Sequence, residues 1–163
     1  SPAYTNASYE KARKVFYGEG IFVGYRYFDE KLIEPMFPFG HGISYTTFEY
    51  SDLQVPVKVD KGANFEVQLT VKNTGAVAGK EVVQIYVADQ DSSLPRPPKE
   101  LKGFAKVELQ PGERKTLTFE LDQRALSFYD PEKMTWVAEK GVFEIMAGSS
   151  SRDIRLKASF ELI

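Results

Sequence analysis

The side chains of this 163-residue chain best suited to chemistry sit close together: four carboxylates, Glu19, Asp29, Glu30 and Glu34, and the only histidine, His41. Two carboxylates, one ionised and one kept protonated, can act as nucleophile or base and as acid on a substrate held between them. A lone histidine serves as a general base when a nucleophile or carboxylate is tied to it, and no such motif surrounds His41. In the turn FGHG it reads as a packed, hydrogen-bonded side chain. One histidine without cysteine cannot build a zinc site, and Asp89 with Asp91 is too thin a set for calcium, so no metal and no cofactor are expected.

These groups are carried by residues 17–50, a segment rich in rings and turns. Phe16, Tyr17, Phe22, Tyr25, Tyr27, Phe28, Phe37, Phe39, Tyr45, Phe48 and Tyr50 make up half of all the aromatic residues. Five glycines and two prolines interrupt the same stretch, so the backbone turns repeatedly while its rings are withdrawn from water. A ribbon of this kind needs a larger body to pack on. Residues 21–28 read equally as one or two helical turns or as extended chain, and Pro35 and Pro38 force the approach to Gly40 into an extended path. Arg26, among three rings, is placed to stack on them and to pair with Glu19 or Asp29.

Bulk properties are those of an ordinary globular chain: 42% hydrophobic, 27% charged, net charge −2. No basic block tracks a phosphate backbone, so no nucleic acid partner is expected, and no apolar run approaches the ~18 to 20 residues of a membrane span. The start SPAYTNASYEK shows no secretory signal, and the absence of cysteine suits reducing and oxidising compartments alike. Residues 6–8 form an N-glycosylation sequon to which no role is assigned, residues 8–15 are expected as an extended surface loop, and residues 15–17 could form a short edge strand.

From Thr46 onward the texture changes to short alternating segments with turn signals between them. Phe65, Val67, Leu69 and Val71 alternate with polar residues, Asn73-Thr74-Gly75 reads as a turn, and Val83, Ile85 and Val87 continue the pattern. The proline-rich stretch 89–98 is a stiff loop, residues 122–126 hold one helical turn capped by Asp122, and residues 148–151 turn a hairpin. Trp136 is placed in the core. Seven or eight strands of this kind predict an all-β, two-sheet antiparallel sandwich of the immunoglobulin-like or fibronectin type III-like class, preceded by a mostly irregular aromatic segment.

The blocks YGEGIFVGYRYFD and PMFPFGHGISYTTFEY resemble the signature near the C-terminal end of glycoside hydrolase family 3 β-glucosidases. VKNTGAVAGKEVVQIYVAD, PRPPKELKGFAKVEL, PGERKTLTFEL and WVAEKGVFEIMAGSSSRDIRL resemble the fibronectin type III-like domain that closes those enzymes. The resemblance divides the chain into residues 1–45, the incomplete end of an α/β sandwich domain, and residues 46–163, a fibronectin type III-like domain. It implies a parent enzyme that hydrolyses terminal β-D-glucosyl residues through a covalent glycosyl-enzyme intermediate. Such chemistry needs two carboxylates ~5 to 5.5 Å apart. The resemblance places the nucleophile in a barrel domain and the acid/base in the α/β sandwich domain, both upstream, so neither a catalytic nor a substrate-binding residue is assigned here and the chain alone is expected to be inactive.

The expected partners are therefore the catalytic barrel and α/β sandwich domains, in one chain or as a nicked piece, with self-association through the aromatic segment when they are absent. Candidate interdomain contacts are Glu19, Tyr25, Arg26, Asp29, Phe39, His41, Tyr45, Arg96 and Lys99, with Glu19 and Asp29 read as loop-pinning hydrogen-bond partners. The alternative is an autonomous carbohydrate-binding or adhesion module, which would expose two or three coplanar rings on one face.

Overall fold

The computed structural model describes residues 18–163. The sequon and the features expected over residues 8–17 lie outside the described residues. The elements follow in the order α1 (Tyr25–Glu30), β1 (Phe48–Gln54), β2 (Lys58–Val59), β3 (Phe65–Asn73), β4 (Gly79–Asp89), β5 (Glu100–Leu109), β6 (Arg114–Leu121), α2 (Gln123–Leu126), β7 (Phe128–Asp130), β8 (Thr135–Val137), β9 (Gly141–Gly148) and β10 (Ile154–Leu162).

A three-stranded sheet, β1-β3-β6, faces a five-stranded sheet, β2-β10-β9-β4-β5, and β7-β8 form a separate hairpin. The all-β sandwich expected from the sequence is the architecture found. Among the described residues there are ten strands rather than seven or eight for two reasons: the chain leaves β1 at Gln54 and joins the other sheet past Pro56 as β2, and residues 128–137 pair among themselves. Because the chain crosses without reversing, β2 runs parallel to β10, the one exception to an otherwise antiparallel pattern.

Alternation explains the core. In β3, Phe65, Val67, Leu69 and Val71 point inward with no more than 7% exposure, and each meets an in-register partner on β6. Val83, Ile85 and Val87 of β4 and Phe143, Ile145 and Ala147 of β9 supply the opposing wall. Fully burying one such aliphatic or aromatic side chain stabilises the fold by about 1.5 to 3 kcal/mol. Asn73, read from the sequence as the first residue of a turn, is the wholly buried last residue of β3, and the chain bends just after it at 75–77. Its side chain accepts from the Thr46 hydroxyl at 2.6 Å and the Gly75 N–H at 3.0 Å, and donates to the carbonyls of Val77 and Leu109 at 2.8 and 3.0 Å. All its polar capacity is used, so its burial carries no unpaired-group penalty.

Trp136 departs from expectation. It lies on β8 of the outer hairpin, 46% exposed, with the Arg124 guanidinium over its ring, so it is not part of the sandwich core. The helical turn expected at Asp122 is present as α2, and the Asp122 carboxylate accepts from the Ala125 N–H at 2.9 Å as an N-cap.

Candidate functional site

The outward residues of β4 should face water if the five-stranded sheet had one covered face, yet Gln84, Tyr86 and Ala88 are buried, as is Met146 on β9. Residues 18–45 cover them. This ribbon forms a third layer, holding only the six-residue α1 as regular structure. Tyr25 stacks on Phe39 with ring centres 5.0 Å apart, meets Tyr86 edge-on at 5.8 Å, and accepts a hydrogen bond from the Leu101 N–H at 2.8 Å. Gly40 sits at φ +81, and a Cβ there would come within 2.1 Å of the Gln84 amide, so this close approach requires glycine. Gln84 in turn donates to the Ser149 carbonyl at 2.8 Å, and the Ser151 N–H donates to the Phe39 carbonyl at 2.8 Å.

Charge holds the seam. The Asp29 carboxylate, 5% exposed, lies 2.6 Å from the Lys99 ammonium and 2.9 Å from the Arg152 guanidinium. Arg152 also donates to the carbonyls of Phe28 and Ile33 at 3.3 and 3.1 Å, tying the end of α1 and the turn after it to the segment between β9 and β10. Lys99 lies over the Tyr86 ring, 5.9 Å from its centre. The Tyr86 hydroxyl, bonded to Gln84, is pushed above its ordinary range by burial, with Tyr25 and Asp29 adding to the effect.

Beside this seam Glu100 receives three cations, Arg96 at 2.7 Å, Arg26 at 3.1 Å and Lys102 at 3.5 Å. Burial pushes the Glu100 carboxyl up, but its hydrogen bond with Arg96 and the charges of Lys102, Arg96 and Arg26 outweigh that and hold it below the usual range. Lys102 is lowered, chiefly by burial, and the neighbouring Arg96 and Arg26 add to this against the attraction of Glu100. Arg26 therefore pairs with Glu100 and not with Glu19 or Asp29. Arg96 is an internal brace: its side chain is 5% exposed and its guanidinium is taken up by Asp89 at 3.0 Å, Glu100 and the Leu126 carbonyl at 2.9 Å.

The rest of the ribbon faces outward. Tyr45 is fully exposed, Ile43 is 95% exposed, and Leu32, Met36 and Phe37 stand out beside them. His41 is exposed too, its ring 5.6 Å from that of Phe37, so the packed, hydrogen-bonded histidine expected from the sequence is not found. Phe39 is half-exposed beyond its stack with Tyr25, and Glu19 is half-buried in a turn where its carbonyl accepts from the Phe22 N–H at 3.1 Å. Among the described residues no three His, Asp or Glu side chains gather as a metal-ligand set, and no helix is long and apolar enough to cross a membrane.

A groove of about 890 Å³ opens between the start of the ribbon, the 94–97 loop, α2 and the β7-β8 hairpin. Tyr129 and Trp136 border it with their rings at 62°, which is not the coplanar platform of a sugar-binding face.

Arg152, Gln84, Tyr86 and Glu100 are the site residues that sequence reading did not single out. One signal was available: VVQIYVA in β4 is a nearly continuous apolar run, the mark of a strand covered on both faces, although only its Val83, Ile85 and Val87 face reads as core by alternation. Arg152, in a polar hairpin turn, carries no such signal.

The fibronectin type III-like domain family matches residues 81–151. Thermostable beta-glucosidase B of Acetivibrio thermocellus is 56% identical over 160 residues, covering 98% of this chain and 21% of its own length. Among solved structures, the GH3 beta-glucosidase of Bifidobacterium adolescentis superposes with a TM-score of 0.92 at 40% identity over 99% of this chain and 23% of its own. Beta-glucosidase 3B of Thermotoga neapolitana, solved in complex with alpha-D-glucose, gives 0.89 at 42% identity over 98% and 22%. The chain belongs to glycoside hydrolase family 3, as a C-terminal region that ends in the fibronectin type III-like domain. It spans about a fifth of the length of the curated relatives it matches.

Proposed function

We propose that this chain is the C-terminal buttress of a retaining β-glucosidase that hydrolyses terminal β-D-glucosyl residues, and that the outer face of its ribbon docks on the catalytic barrel and α/β sandwich domains. In this reading residues 1–45 belong by chain order to the α/β sandwich domain and residues 46–163 form the accessory domain, with the ribbon as the joint between them. The nucleophile and acid/base reside in the catalytic domains, so the chain by itself does no chemistry. Its part is to hold the joint at a fixed angle.

The observation that carries the reading is the two-sidedness of the ribbon. One side is clamped to the sandwich through Asp29, Tyr25 and Gly40, while Leu32, Met36, Phe37, Ile43 and Tyr45 present apolar area to solvent. So many large apolar side chains exposed within one short segment mark an interaction surface. Without its catalytic partner the same face associates with copies of itself.

An aryl β-glucoside assay tests the reading. The full-length protein should be active and the 163-residue chain inactive. Leu32→Asp with Tyr45→Asp in the full-length protein should lower the temperature at which activity is lost. Hydrolysis by the isolated chain, or a double variant as heat-resistant as its parent, would overturn it.

A further inference from the structure

The groove bordered by Trp136 is a second surface that the ribbon face does not explain, and its charges are incompletely matched. Among the described residues Glu100 is the one carboxylate shared by Arg26, Arg96 and Lys102, and of these only Arg96 has another, Asp89. Asp122 borders the groove as well, but its carboxylate caps α2. Arg124 lies over Trp136 and has no carboxylate partner among the described residues. Between these cations the walls are apolar, supplied by Phe22, Leu94, Pro95 and Trp136.

From this geometry we propose that the groove is a socket for a segment of the catalytic domains that carries a carboxylate side chain beside an apolar one. The carboxylate sits among Lys102, Arg26 and Arg124, and its apolar neighbour lies on Phe22, Pro95 and Trp136. Charge complementarity selects this occupant, because a buried cation gains most from a charge-assisted partner brought to it out of water. The Lys102 ammonium, lowered first by burial and then by Arg96 and Arg26, is a group such a carboxylate would relieve. About four-fifths of the length of the relatives lies outside this chain, so ample protein exists to supply the segment. The inference rests on the buttress reading and adds the chemistry of a second contact to it.

Hydrogen–deuterium exchange on the 163-residue chain and on the full-length protein decides the matter. Backbone amides of residues 99–102 and 124–136 should exchange at least ~10-fold more slowly in the full-length protein. That protection should fall in 1 M sodium chloride and in Arg124→Glu, an exposed position that leaves the fold intact, while protection of residues 31–45 persists. Equal exchange of the groove in both proteins, with the ribbon protected, sinks the socket and leaves the buttress standing. Groove protection indifferent to both salt and Arg124→Glu overturns the acidic occupant. If neither groove nor ribbon gains protection, both readings fall together.

Discussion

The carboxylate of Asp29 and the ammonium of Lys99 meet at 2.6 Å across the seam between ribbon and sandwich, seventy positions apart in the chain. Both side chains are nearly out of water, at 5% and 11% exposure, and Arg152 closes on the same carboxylate at 2.9 Å. Removing one member of a buried pair leaves the other charged and unmatched, which costs far more than an exposed pair is worth.

Asp29→Asn should therefore destabilise the chain by about 3 kcal/mol in urea denaturation. Glu30→Gln, one position on and exposed, should stay within about 0.5 kcal/mol. Equal effects of the two substitutions would remove the clamp from the account.

Gly40→Ala should cost at least about 2 kcal/mol, because it combines an unfavourable backbone conformation with a collision against Gln84. Gln84→Ala removes the collision but not the strain at φ +81. The double variant should therefore be less destabilised than the sum of the two single ones, and strict additivity in the double-mutant cycle would contradict the contact.

Two buried carboxyls should bend the pH profile in opposite senses. Glu100 is held below its ordinary value of 4.5, so its contribution is fully present above that pH and is lost as pH falls through the lower folded value. Glu81 is raised, by burial first, against the partial relief of its 2.8 Å hydrogen bond from the Tyr50 hydroxyl and of Arg155. Its neutral form favours the fold, so its contribution declines as pH rises above 4.5. Denaturation midpoints from pH 3 to pH 8 should show Glu100→Gln flattening the acid limb and Glu81→Gln gaining stability relative to the parent as pH rises. The reverse assignment of the two slopes would contradict both environments.

Leu32→Asp with Tyr45→Asp should leave the unfolding free energy of the isolated chain in urea within about 0.5 kcal/mol of the parent, since both side chains stand in solvent. Light scattering and hydrophobic-dye binding at high protein concentration should both fall. A parent chain that is already monomeric and binds no dye would show that the ribbon face does not self-associate.

Trp136→Ala should cost about 1 kcal/mol, against about 3 to 5 kcal/mol for Phe143→Ala, which empties a fully buried site facing Phe160. A tryptophan is the largest apolar side chain, and its placement in the core was the natural expectation from composition. The guanidinium of Arg124 over its ring explains how it is kept at the surface instead.

Much of the sandwich was legible because alternation is a local property. Phe65, Val67, Leu69 and Val71 declare one face of β3 whatever lies across from them, and Asp122 declares the start of α2 through its own side chain. The family, too, was written in the ordered blocks from GYRYFD to FEIMAGSSS. The partners of the candidate residues were not. Arg26 had two carboxylates within its own segment, yet it reaches Glu100 on β5, and His41, read as packed and hydrogen-bonded, lies open on its turn.

By itself, then, the sequence determined the inward face of each main strand, the all-β class of the sandwich and the irregular character of residues 18–45. Only the tertiary structure decided that this ribbon lies on the outer face of β4 and β9, that Asp29 is its anchor, and that Trp136 stands beside a groove. The reason is physical: periodicity records which side of a strand avoids water, whereas what covers the opposite side depends on contacts between segments far apart in the chain.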